Sequence, residues 1–156
     1  MKIAEILELN TVVPHLRSTS KVDVIKELAD NISSVYPNIN TERLVEVLIE
    51  RENLCSTAVD SGVAIPHAKL SGITDMIVGF GRSIEGIEYE SLDKKATHFF
   101  ITLIAPEDSA GSHIQLLARI SKVFKNPELR AKLMRSESEE DIYEAITLED
   151  EKYGKR

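Results

Sequence analysis

Residues 97–106 read THFFITLIAP. Past His98 the run is nearly continuously apolar, as expected of a β-strand covered on both faces rather than one with a wet side. Just upstream, DMIVGFGRSI (residues 75–84) reads as another strand. Before it, CSTAVDSGVAIPHAKL (residues 55–70) is a small-residue loop feeding a strand that enters Pro66-His67. Helical periodicity surrounds these strands. Ser20 can cap a helix, with Asp23 three residues on, and Ile25, Leu28, Ile32 and Val35 then recur at helical spacing until YPN stops them. A second helix runs from about Asn40 or Thr41, with Leu44, Val45, Leu48 and Ile49 as its buried stripe, and closes on Arg51, Glu52 and Asn53. Downstream of residue 106, Ser112 is the expected N-cap of a helix whose first turn holds His113 and whose apolar face is Ile114, Leu117, Ile120 and Phe124. Asn126 caps and Pro127 opens a short helix, and Ser138 precedes a last, acidic one. Helices alternating with apolar strands argue a layered α/β domain.

The chain has 156 residues, the length of one ordinary domain, so a single domain over residues 1–156 is expected. Its net charge of -7, from 19 basic and 26 acidic residues, disfavours nucleic acid as a partner. Acid gathers late, in SESEEDIYEAITLEDE (residues 136–151), which reads as a solvated helix face or as a rim that attracts a basic partner. Cys55 is the only cysteine, which rules out a disulfide within the chain and fits a reducing compartment. It reads as a small buried loop residue rather than an oxidation sensor. MKIAEILELN is too short and too charged for a signal peptide, and no apolar run reaches membrane-spanning length. A soluble, cytoplasmic protein with no membrane insertion is expected.

Of the four histidines, none falls in HExxH and none pairs with another at i, i+4, so no metal site is expected. His98 reads as a strand histidine and His15 as a turn histidine. His67 has richer surroundings: CSTAVDSG upstream offers hydroxyls and exposed N–H groups that can bind an anion, and Pro66 makes the entry to His67 rigid. A rigid mount suits a nucleophile. His113, in the first turn of a helix, is placed where an anion is favoured. Arg51 ends a helix beside the loop and could neutralise phosphate oxygens bidentately, although a terminal arginine is often only a dipole partner.

Three stretches together, RENLCSTAVDSGVAIPHAK (51–69), GFGRSIEGIEYES (79–91) and FFITLIAPEDSAGSHIQLLARISKVF (99–124), carry a resemblance over nearly the whole chain. It resembles the enzyme IIA domains of the bacterial phosphoenolpyruvate-dependent sugar phosphotransferase system, of the fructose/mannitol type, and most of all their stand-alone nitrogen-regulatory branch. The resemblance implies a single-domain sandwich with a central mixed β-sheet flanked by helices. It makes His67 the phosphorylated histidine, at Nε2, and His113 the second active-site histidine. Arg51 becomes the active-site arginine, and Ser56 and Thr57 become pocket residues that donate to the phosphoryl oxygens. The site is expected where the strand carrying His67 ends. It implies an HPr-like phosphocarrier as donor, no metal, nucleotide or organic cofactor, and a regulatory output set by the phosphorylation state. Two other readings stay open: a sugar-transport subunit that passes the phosphoryl group to a IIB component, and a binding module that is not phosphorylated. The family often has glycine where this chain has Cys55, Ala58, Asp60 and Ala68. Each replacement removes backbone freedom, and Asp60 adds negative charge near the expected phosphoryl position.

Overall fold

In a computed structural model, which describes residues 1–154, THFFITLIAP forms strand β5 (Thr97–Pro106). It is covered on both faces, and its side chains divide by parity. Phe99, Ile101 and Leu103 face one helical layer, while Phe100 and Ile104 face the other. β5 pairs antiparallel with β4 (Ile77–Ile87), which pairs in parallel with β1 (Val12–Val13). On its other side β5 receives two short parallel partners, β2 (Val63–Ala64) and β3 (His67–Leu70). The sheet is therefore mixed, with five strands among the described residues. β1 has only two residues, too short to show alternation in the sequence. The expected single strand before His67 is divided because Pro66 has no N–H for a ladder.

One layer is made by α2 (Lys21–Val35) and α3 (Thr41–Leu54). The other is made by α1 (Ile3–Ile6), α4 (Ser112–Phe124), α5 (Pro127–Arg135) and α6 (Glu139–Glu151). Phe80 stacks on both Phe99 and Phe124, at ring-centroid distances of 6.4 and 5.9 Å, and so pins α4 to the sheet. Each such buried ring contributes about 1.5–3 kcal/mol by leaving water. The side chains of Ser20, Asn40, Asn126 and Ser138 accept backbone N–H groups at the starts of α2, α3, α5 and α6, as their positions in the sequence imply.

Three expectations change. On α3, Leu44 and Leu48 are fully buried but Val45 and Ile49 only partly. α4 begins one residue early, with Gly111 at the cap and Ser112 already helical, and the Ser112 hydroxyl donates to the Ser109 carbonyl at 2.9 Å. Its buried face is Leu116, Ile120, Val123 and Phe124, which leaves Ile114 60% exposed. The late acidic run is not all solvated. Asp150 is buried and accepts from Arg119 Nε at 2.6 Å and from the Ala4 N–H at 3.0 Å, tying α6 to α4 and α1. No helix among the described residues is long and apolar enough to cross a membrane.

Candidate active site

His67 opens β3 rather than closing a strand, and its register partner on β5 is Leu103. Leu103 faces the α4 layer, so the His67 ring does too. The chain leaves β5 through residues 107–111 and enters α4, whose second residue is His113. From the opposite side α3 presents Val47, Glu50, Arg51 and Leu54, which share one helical face at i, i+3, i+4 and i+7. His67, Arg51 and His113 thereby line one open cavity of about 510 Å³, together with Lys69, Leu103 and Ala105.

The His67 ring is held by its Nδ1, 2.7 Å from the Ile65 carbonyl oxygen. A carbonyl can only accept, so Nδ1 carries the proton and the lone pair of the neutral ring sits on Nε2. Nε2 has no hydrogen-bond partner among the described residues. The carbonyl comes from the residue before Pro66, whose backbone the proline ring restricts, and this is how Ile65-Pro66 sets the ring's tautomer. Burial holds the His67 pKa below its ordinary 6.5. The Ile65 hydrogen bond acts the other way; Arg51 lowers it, Glu52 raises it and His113 lowers it. The ring is neutral at pH 7 and ready to act as a nucleophile.

Arg51 stands in the last turn of α3, where its guanidinium donates to the Cys55 carbonyl at 2.9 Å. That bond satisfies a carbonyl just past the helix end and fixes the direction of the cation. The His113 Nδ1 and the Ser109 hydroxyl share a hydrogen bond at 3.3 Å. An anion on His67 Nε2 would meet the guanidinium, the His113 ring and the N-terminus of a 13-residue helix.

The structure does not bring Ser56 and Thr57 to this cavity. The Ser56 hydroxyl donates to the Tyr89 carbonyl at 3.1 Å, and the Thr57 hydroxyl and N–H both donate to the buried Glu52 carboxylate. Both side chains hold the loop. Asp60 is exposed and lines a separate hollow with Thr57, Val59 and Val63, so its charge is not set in the His67 cavity. None of Cys55, Ala58, Asp60 and Ala68 has a positive φ; that conformation falls on Ser61 and Gly62, and a Cβ at the four positions needs no unusual backbone. Cys55 is exposed, contrary to the buried reading, because it follows the end of α3 in extended backbone. Lys69 was missed by the sequence reading. Its signal was parity, since it lies two residues beyond His67 on one strand and so on the same face. Among the described residues no group of three or more His, Cys, Asp or Glu side chains is placed to hold a metal ion.

Known proteins resemble this chain in sequence and fold. Residues 5–148 match the family model "Phosphoenolpyruvate-dependent sugar phosphotransferase system, EIIA 2". A nitrogen regulatory protein of Bradyrhizobium diazoefficiens is 32% identical over 148 residues, covering 95% of this chain and 96% of that one. The fructose-specific EIIABC component of Bacillus subtilis is 33% identical over 150 residues, 96% of this chain, which spans 24% of that longer protein. The crystal structure of nitrogen regulatory protein IIA-Ntr from Neisseria meningitidis superposes with a TM-score of 0.86 at 28% identity, covering 93% of this chain and 99% of that one. With a matched model over most of its length, the chain belongs to the EIIA type 2 family of the phosphoenolpyruvate-dependent sugar phosphotransferase system.

Proposed function

We propose that this chain is a cytoplasmic phosphorelay protein that takes a phosphoryl group on His67 Nε2 from the phosphohistidine of an HPr-like carrier and signals through its phosphorylation state. The observation that carries this reading is the His67 ring itself. Its Nδ1–H is committed to the Ile65 carbonyl, and Nε2 is left free in a cavity shared with Arg51 and His113. In the transfer the Nε2 lone pair attacks phosphorus in line. The new N–P bond forms as the carrier's N–P bond breaks, and the bonding pair returns to the carrier's nitrogen. The Nδ1 proton need not move, because its hydrogen bond is made before and after. Arg51 and His113 carry the charge on the equatorial oxygens, so the protein's part is positioning and electrostatics.

The regulatory output is supported by likeness to nitrogen regulatory proteins that match this chain nearly end to end. A second reading, a transport subunit that hands the group to a IIB component, is supported by equal likeness to part of a fructose-specific component. The test is intact mass after incubation with phosphoenolpyruvate, enzyme I and a phosphocarrier, with His67→Ala and His15→Ala alongside. One acid-labile phosphate, absent only from His67→Ala, is expected. No phosphate on the native protein with several carriers would leave a binding module. Onward transfer to a purified fructose-type IIB domain would favour the transport reading.

A further inference from the structure

Glu52 is next to Arg51 in α3 but turns inward; it is 5% exposed. Its carboxylate accepts the Thr57 N–H at 3.1 Å and the Thr57 hydroxyl, and meets the Lys21 ammonium at 3.3 Å. Lys21 comes from the first turn of α2, touches Glu90 at 3.1 Å and lies 4.8 Å from the centre of the Tyr89 ring. Burial, then Glu52, pushes the Tyr89 hydroxyl up, so that group stays neutral. Three parts of the chain thus converge on one buried carboxylate: the start of α2, the turn after α3 and the segment after β4. Hydrogen bonds join that carboxylate to the site: Glu52 holds Thr57, the Thr57 carbonyl accepts the Ile65 N–H at 3.4 Å, and the Ile65 carbonyl holds His67 Nδ1 at 2.7 Å. Arg51 opposes a positive His67 ring, and Glu52 favours one.

A negative charge that favours a positive ring disfavours an added dianion on the same ring. Arg51 and His113 draw the phosphoryl group in; Glu52 works against its staying. A relay needs both, since an acceptor that binds its phosphoryl group too well cannot pass it on. We propose that Glu52 is a positioning residue of the relay: from inside the fold it clamps the 55–57 turn to the end of α3, and its charge keeps the phosphohistidine easy to discharge. Lys21 screens that charge and sets its strength. This inference rests on the phosphorelay reading above.

The experiment mixes the phosphorylated carrier with wild-type protein, Glu52→Gln, Lys21→Gln or Thr57→Val at pH 8. It reads both phosphoproteins at equilibrium by intact mass, and both transfer rates by quenching. Glu52→Gln keeps the shape and an oxygen for the Thr57 N–H but loses the charge. Its equilibrium constant should move toward the phosphorylated protein by roughly three- to tenfold, the effect of one partly screened charge. Lys21→Gln should move it the other way by a similar factor. Thr57→Val should slow both directions together and leave the constant within twofold of wild type, as loss of positioning alone requires. The proposal is overturned if Glu52→Gln and Lys21→Gln, both with cooperative melts, stay within twofold of wild type or shift in the same direction. If Glu52→Gln does not fold, Lys21→Gln decides by its sign. If the wild-type protein carries no phosphate on His67, the relay reading itself fails, and that outcome is seen without any variant.

Discussion

Two histidines in this molecule are held in the same way and end in opposite circumstances. His67 gives its Nδ1–H to the Ile65 carbonyl at 2.7 Å, and His98 gives its own to the Ser83 carbonyl at 2.9 Å. Each ring therefore has its lone pair on Nε2. The His67 ring lines a cavity with the Arg51 guanidinium, Lys69 and His113. The His98 ring lies against Gly86, where a Cβ would come within 2.9 Å of Cε1 and 3.2 Å of Nε2. A glycine at φ +89° is what lets that ring pack there at all. A fixed tautomer prepares a nucleophile, but room for a phosphoryl group and charges to receive it make a site.

Exchanging the two histidines one at a time should break the comparison most sharply. His67→Gln should reduce phosphoryl acceptance to background. His98→Gln should accept normally and lose only about 0.5–2 kcal/mol of stability with its part-buried hydrogen bond, read by urea denaturation. Next in size is Arg51→Gln, which should slow acceptance by about a hundredfold in single-turnover assays while the melting temperature stays within a few degrees. Gly86→Ala attacks the His98 side alone. The positive φ and the crowding against Ala96 and His98 should cost about 1–3 kcal/mol, with acceptance per folded molecule unchanged.

The smallest effect is on pH dependence. Burial holds the His67 pKa below 6.5, so the midpoint of the acid loss of acceptance rate should lie below pH 6.5. Arg51→Gln removes a group that lowers this pKa, so its fall should begin at higher pH. Stability is linked with the same sign. Below 6.5 the unfolded chain protonates this histidine before the folded one does, so the site costs stability as pH falls through that window and costs nothing above it. His67→Gln should flatten that part of a stability-versus-pH curve.

Much of this was legible in residue order. THFFITLIAP declared a strand with two covered faces, and the polar caps at Ser20, Asn40, Asn126 and Ser138 declared four helix starts. His67, His113 and Arg51 were singled out by their surroundings before any geometry was known, and all three line one cavity. What stayed hidden were pairings across the fold. A Thr hydroxyl beside an active-site loop looks like a phosphate ligand until a buried Glu52 five residues back claims it. Asp150 reads as one more solvated acid until Arg119, 31 residues away in sequence, meets it inside. Replacing Asp150 with Ala should cost about 3–5 kcal/mol, because a buried guanidinium would lose that carboxylate, and urea denaturation would measure it. Lys69 was hidden for another reason: β3 has four residues, too few for alternation to stand out.

The most direct test of the account is to phosphorylate uniformly 15N-labelled protein and record imidazole 1H–15N and 31P spectra. The account predicts a single phosphorus coupled to Nε2 of His67, with Nδ1–H still protected by the Ile65 carbonyl. Phosphorus on Nδ1 of His67, or on His98 or His113, would contradict it.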